Sequence, residues 1–217
     1  MTVEFSMEAQ TQAGAGWYKK LFAWLMATGN AEYEQAVSDR KQALFSDIHG
    51  DILEIGAGTG PNLRYYPKDI HWIGIEPNPY MHSYLQAEAE KLGLNIDIHT
   101  GTAERLQFQD NSLDAVVSTL VLCSIPNLSS SLQEIRRVLK PGGRFFFLEH
   151  VAAPQGTLLR NIQSSIKPIW KVLADGCHPD RETWVAIENA GFESVDYQHF
   201  RAPMPIVSTQ IIGVATK

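Results

Sequence analysis

Residues Asp51 to Gly60 read DILEIGAGTG, a short apolar strand running into a turn with glycine at Gly56, Gly58 and Gly60. Glycine at alternate positions allows a tight turn and brings bare main chain against a ligand that a Cβ would exclude. The dinucleotide fingerprint is G-x-G-x-x-G, with its third glycine one residue later and a pyrophosphate at the following helix N-terminus. Here the spacing is G-x-G-x-G, preceded by Glu54. A carboxylate there repels a diphosphate but can accept from an ammonium group. The turn therefore points to a zwitterionic, phosphate-free nucleotide.

The strands that follow fit a cleft for such a ligand. After an expected helix over Asn62 to Tyr66, His71 to Ile75 reads as a second buried strand ending at Glu76-Pro77. An acidic residue about 20 positions past the glycine turn, at the tip of the second strand, is placed to accept from ribose hydroxyls. A third strand, Ile96 to His99, leads to Thr102-Ala103-Glu104. A fourth, Asp114 to Leu122, carries Leu120 and Val121 at its tip. A helix over Leu128 to Leu139 stops at Pro141-Gly142-Gly143, and a fifth strand, Arg144 to Leu148, ends at Glu149-His150. S-adenosylmethionine (SAM) is the candidate ligand. Gly56, Ala57, Gly58, Thr59 and Gly60 would admit its amino-acid part, and Glu54 would orient the ammonium indirectly. Glu76 and Pro77 would hold the ribose, Thr102, Ala103 and Glu104 would flank the adenine, and Leu120-Val121 would cover the cofactor.

Strands alternating with helical patterns over 51–150 predict a parallel sheet with helices on both faces. Right-handed crossovers place all strand C-termini on one edge, where ligands bind. The tail of the chain predicts a helical insertion (Ala152 to Pro179, helix Leu158 to Leu173), a helix Arg181 to Ala190 capped by Gly191, and strands Glu193–Phe200 and Thr209–Thr216. The Pro203–Pro205 loop between these strands makes the last one antiparallel. The expected fold is α/β: a Rossmann-like, doubly wound, seven-stranded sheet, mostly parallel, with N-terminal helices and a helical lid. Residues 1–16 read as a flexible tail, and 17–217 as a single domain. Within it, 17–46 form helices broken at Gly29-Asn30, and 152–179 form the lid.

The 217-residue chain, 44% hydrophobic and 19% charged, is long enough for one core and too apolar for wholesale disorder. A net charge of −6 disfavours nucleic acid as a partner. The two cysteines, Cys123 and Cys177, show no metal-type or disulfide spacing, so a metal site is not expected and a reducing, cytoplasmic location is. No signal peptide or run long enough to span a membrane is visible. The aromatic, lysine-containing segment Trp17–Met26 could touch a membrane surface, although packing on its own domain is the commoner fate of such a helix. A monomer acting on a small-molecule acceptor is expected.

The order of motifs resembles the class I SAM-dependent methyltransferases from residue 48 to the C-terminus. LEIGAGTGPNLRYYP, EPNP, STLVLCSI, LKPGG, LEHVAAP, DGCHPDRETW and IIGVATK are similar to the methyltransferase-like proteins that methylate small alkyl thiols in animals, and to plant and bacterial relatives. The resemblance implies methyl transfer from SAM to a small acceptor, preferably a thiol or sulfide sulfur; the alternatives are O-, N- or C-methylation of a phenol, lipid or quinone, or SAM binding without catalysis. Two departures stand out: animal members begin with a hydrophobic anchor not found here, and many quinone C-methylating relatives carry aspartate where this chain has Thr102. A thiol acceptor reacts as thiolate, of which roughly a few per cent is present at neutral pH. His150, whose residue type titrates near neutrality, is the first candidate to take or relay the proton. Asp175 and His178 are candidates to line the acceptor pocket, and Asp175 is the second catalytic candidate. Cys123 reads as a small core residue. Cys177 could be a self-methylation or metal-binding site, although nothing in its spacing demands it.

Overall fold

The computed structural model describes the backbone from Glu4 to Lys217 and side chains from Gly16 onward; residues 1–3 lie outside the described residues. Most of the tail expected over 1–16 is instead the first half of helix α1 (Glu4–Gly29), a stretch rich in the helix formers Ala, Gln, Glu and Met. Asn30 separates α1 from α2 (Ala31–Leu44), as the Gly29-Asn30 break predicts.

The strands are β1 (Asp51–Ile55), β2 (His71–Ile75), β3 (Ile96–His99), β4 (Leu113–Thr119), β5 (Leu139–His150), β6 (Ser194–Arg201) and β7 (Thr209–Thr216). They form one sheet in the order β3-β2-β1-β4-β5-β7-β6. The pairs from β3 through β5 are parallel, and β7 runs antiparallel between β5 and β6. The expected doubly wound sheet with its antiparallel last strand is therefore present. Strand order reverses between β1 and β4, where open α/β sheets bind ligands.

Helices cover both faces because successive strand residues point to opposite sides. Phe145 and Phe147 join Leu53, Ile55 and Val116 beneath α4 (Leu128–Val138) and α6 (Thr183–Glu188). Phe146 points the other way, to Ile52, Trp72 and Phe45, beneath α3 (Pro79–Leu92). Helix α3 starts well: Asn78 accepts from the Tyr80 N–H, Pro79 takes the first turn, and Gly93 ends it in the left-handed region.

The larger boundary differences are at β4, β5 and α6. Strand β4 stops at Thr119, short of Leu122, because Leu120 has φ +58°. Strand β5 begins at Leu139 because that residue pairs with Leu113 across a register shift. Helix α6 is trimmed at both ends to Thr183–Glu188. The lid helix α5 spans Leu158–Leu173 as expected, and Thr157 caps it.

Candidate active site

The glycine turn is built by close packing on two sides. Gly56 donates its N–H to Ile75 O at 2.7 Å, which bends the chain over the end of β2. With φ of +62°, +57° and +84°, Gly56, Gly58 and Gly60 all lie in the left-handed region. A Cβ on Gly56 would stand 2.5 Å from Val121 Cγ2, and one on Gly60 2.8 Å from Leu85. A Cβ on Gly58 would meet Met81 Sδ at 3.8 Å, an ordinary contact, so its φ rather than crowding calls for glycine there. Ala57 is buried among the residues beneath α3, and Thr59 is half-buried.

Glu76 closes this turn at the tip of β2. Its carboxylate accepts from Gly58 N at 2.9 Å and Asn78 N at 2.7 Å. Burial raises its pKa, against the lowering by those two amides. Pro77 is exposed beside it. The Asn78 side chain donates to Lys19 O, which brings α1 to the rim of the cleft. After β3, Thr102 is exposed, Glu104 half-buried and Ala103 buried.

Glu54 does not face the ligand side. Its carboxylate is 2% exposed and accepts from Asn62, Tyr66 and Trp72 at 2.8–3.1 Å. Burial raises its pKa despite these donors. As expected of an indirect role, Glu54 touches the turn and not open space: it fixes the 3₁₀ turn Leu63–Tyr65 that follows the glycines. The reason is strand parity, which points Glu54 toward Trp72 beneath α3.

Across the cleft, Leu120 and Val121 form a strained tip. A φ of +58° at a γ-branched residue costs on the order of 1–2 kcal/mol and needs surrounding support. Glu149 supplies it from β5. Its buried carboxylate accepts from Ser118 Oγ at 2.6 Å and from the N–H groups of Val121 and Leu122 at 3.1 Å. Sequence reading gave Glu149 no role; its position at a strand end was the available signal.

The lid docks on the same loop. Arg181 donates to Leu122 O at 2.6 Å and Ile125 O at 2.7 Å, and its other nitrogen lies 3.0 Å from His178 Nδ1. Burial, then the Arg181 charge, lowers the His178 pKa, and its Nδ1 lies between Arg181 and Cys123 O at 3.0 and 3.2 Å. His178 N donates to Cys123 O. This docking brings together three residues that the sequence left apart: Cys123, His150 and Cys177, with ligand atoms within 4.8 Å of one another. His150 Nε2 is 3.0 Å from Cys177 Sγ, which also accepts from Trp170 Nε1 at 3.1 Å. The adjacent Cys123 thiol, then His150 and Trp170, hold the Cys177 pKa well down, while Cys177 and then burial push the Cys123 pKa well up. His150 is therefore one member of a sulfur-rich cluster rather than an isolated base. The donor atoms meet in space although the three residues lie far apart in sequence, which is why the sequence shows no metal-type spacing.

Asp175 is placed elsewhere. It is exposed, with φ +44°, and its N–H donates to the Tyr18 hydroxyl where α1 meets the lid. Its charge acts on Glu76, and among the described residues no hydrogen bond joins its carboxylate to the His150 cluster. Asp175 therefore sits at the contact of α1 with the lid, near enough to Glu76 for its charge to act there.

The residues present fit SAM. Gly58 brings side-chain-free backbone against Glu76, and Glu76 uses two of its roughly four acceptor positions, leaving two for ribose hydroxyls. The methyltransferase-domain family matches residues 53–147. Human thiol S-methyltransferase TMT1A is 37% identical over 212 residues, 92% of this chain and 87% of its own length. Rat thiol S-methyltransferase TMT1B is 39% identical over 213 residues, with the same coverage. Among solved structures, a SAM-dependent methyltransferase of Thermotoga maritima, described as a possible histamine N-methyltransferase, superposes with TM-score 0.65 at 21% identity. That match covers 89% of this chain and 92% of the other.

Proposed function

The chain belongs to the SAM-dependent methyltransferases, sharing a family with the thiol S-methyltransferases, and on that premise we propose that its acceptor is a small apolar thiol. One observation carries the choice of acceptor: identity of 37–39% to thiol S-methyltransferases across 92% of the chain. The sulfur-rich cluster beside the β4 tip is consistent with it.

When bound, SAM supplies a methyl already activated on a sulfonium. The remaining work is positioning, which can be worth about 7–11 kcal/mol when reacting atoms are held about 3–3.5 Å apart. In this reading Gly56, Gly58 and Gly60 admit the amino-acid part, and Glu76 accepts from the ribose. Thr102, Ala103 and Glu104 flank the adenine, while Leu120 and Val121 keep water from the methyl. Thr102 offers only a hydroxyl, so backbone groups of Ala103 contribute to adenine binding. His150 acts on the acceptor's proton through the cluster it shares with Cys177.

We also read the exposed apolar surface as a contact with membrane lipid through Trp17–Met26. No helix is long and apolar enough to cross a membrane among the described residues. Yet Trp17 and Trp24 on α1 are 65% and 52% exposed, and Val172 and Leu173 on α5 are 71% and 66% exposed. Tyr18 donates to Leu173 O, joining the two helices there. Lys20 and Lys171 lie exposed among them, a pairing of apolar and basic groups suited to an anionic bilayer surface. A monomer that resides in the cytoplasm and binds no nucleic acid completes the proposal.

The test is transfer of labelled methyl from SAM to a panel of alkyl thiols, phenols, amines and quinones, with products identified by mass spectrometry. Thioether products are expected. Transfer to carbon, oxygen or nitrogen alone rejects the thiol, and SAM binding without any transfer rejects catalysis.

A further inference from the structure

Cys123, His150 and Cys177 come from the loop after β4, the last residue of β5 and the lid. Each is buried, with relative exposures of 2%, 3% and 6%. Their frames are fixed independently of one another's side chains. Glu149 accepts from the Val121 and Leu122 amides, His178 N donates to Cys123 O, and Arg181 binds the carbonyls on either side of Cys123. The Cys123 thiol otherwise has only 3.6 Å contacts with Leu120 O and Ser124 Oγ. His150 Nδ1 has no hydrogen-bond partner, so Nε2 is the ring atom engaged, and it faces the sulfurs.

Two cysteine sulfurs and one imidazole form a donor set suited to a thiophilic divalent ion, and zinc takes these ligands in tetrahedral geometry. Structural zinc sites close with four protein ligands, whereas catalytic ones use three and keep the fourth position open. We propose that Cys123 Sγ, His150 Nε2 and Cys177 Sγ bind one Zn2+ whose fourth position receives the sulfur of the acceptor thiol. Zn–S and Zn–N bonds of about 2.3 and 2.0–2.1 Å put tetrahedral ligand atoms about 3.6–3.8 Å apart. The longest separation, up to 4.8 Å, brackets these values from above, and the 3.0 Å His150–Cys177 contact needs to open by about half an ångström. Trp170 Nε1, donating to Cys177 Sγ, is the outer-shell group that orients that ligand.

This inference rests on the thiol reading above and changes one role in it: His150 Nε2 holds the ion instead of handling the acceptor's proton. The acceptor thiol gives its proton to solvent as its sulfur joins the ion. That sulfur then supplies the electron pair of the new S–CH3 bond while the sulfonium S–CH3 bond breaks, its pair returning to the donor sulfur. Thioether and S-adenosylhomocysteine leave, and the ion stays Zn2+, so no oxidant or reductant takes part.

The experiment measures metal in the intact chain purified without chelators, then its spectrum after exchange with Co2+. About one zinc per chain is expected, and cobalt should give sulfur-to-metal charge-transfer bands that weaken in Cys123→Ser and in Cys177→Ser. SAM titration by calorimetry identifies the variants that remain folded. Trp170→Phe, which keeps all three ligands, should lower zinc affinity about 10- to 100-fold. Zinc well below one equivalent even after incubation with ZnCl2, with two titratable thiols or a Cys123–Cys177 disulfide, overturns the site and leaves thiol methylation standing. Stoichiometric zinc with transfer to acceptors other than thiols overturns the acceptor's place on the ion and the thiol reading together. Stoichiometric zinc with thiol transfer unchanged in folded Cys177→Ser overturns the catalytic link alone.

Discussion

Val121 lies directly against Gly56: a Cβ at that glycine would stand 2.5 Å from one Val121 methyl and 2.9 Å from the other. The contact joins the ends of β1 and β4 at the point where strand order reverses. It explains the first glycine of the turn by sterics from the opposite wall as well as by its φ of +62°. Gly56→Ala should therefore displace Val121 and weaken SAM binding by at least about tenfold, together with a drop in melting temperature. Gly142→Ala is the control. Its φ is +75°, but no atom stands within 4 Å of a new Cβ. It should cost only about 1 kcal/mol of backbone strain and leave SAM affinity unchanged by calorimetry.

Glu76 should carry cofactor affinity with little effect on the chemical step. Hydrogen bonds to a charged acceptor contribute about 1.5–3 kcal/mol, so Glu76→Gln should raise the SAM dissociation constant about 10- to 100-fold. Burial raises its pKa, and the ionised form is the one that accepts from ribose. SAM affinity should accordingly fall as pH drops through that raised value, starting at a higher pH than an ordinary carboxylate would. A flat affinity profile between pH 7 and 5 would assign the ribose contact to another group.

Stability should pass through a maximum on the acid side of neutrality. Glu54 has a folded pKa above its unfolded one, so its contribution is fully present below the ordinary carboxylate range and is lost as pH rises through the folded value. Glu134 is the opposite case. Arg137, at 2.6 Å, lowers its pKa, so its contribution is present above the ordinary carboxylate range and lost as pH falls through the folded value. Glu54→Gln should cost about 1–3 kcal/mol in mild acid by leaving Trp72 or Tyr66 poorly paired. Urea unfolding across pH should also show that it reduces the loss of stability toward alkaline pH, the buried Glu76 and Glu149 keeping the rest.

Arg181 should govern lid closure more than cofactor binding. Its bonds to Leu122 O and Ile125 O tie the lid to the β4 loop. Arg181→Ala should lower kcat at least about tenfold, leave the SAM dissociation constant within about threefold, and speed proteolysis within 152–179. Equal losses in kcat and SAM affinity would mean that the arginine supports the cofactor wall instead.

The surface made by α1 and α5 should bind anionic vesicles. Trp24→Ser combined with Val172→Ser should reduce co-sedimentation with phosphatidylserine vesicles about tenfold and leave transfer to a water-soluble thiol intact. Both side chains are exposed, so the fold should tolerate the changes. Unchanged sedimentation would exclude this face as the lipid contact.

The sequence alone determined the sheet and its cofactor edge. Apolar runs of strand length, glycines at positions forced to positive φ, and an acidic residue at the β2 tip are local signals, carried by a few adjacent residues. They placed β2, β3, β7 and α5 to the residue. What required tertiary structure depends on residues far apart in the chain or on which way a side chain points. Strand parity turned Glu54 inward to Asn62, Tyr66 and Trp72. Support from Glu149 allowed Leu120 its left-handed backbone and ended β4 early. Docking of the lid through Arg181 and His178 brought Cys177 to His150 and Cys123, residues 27 and 54 positions away. No spacing rule spans such distances, because their meeting is set by how loops fold over the sheet edge.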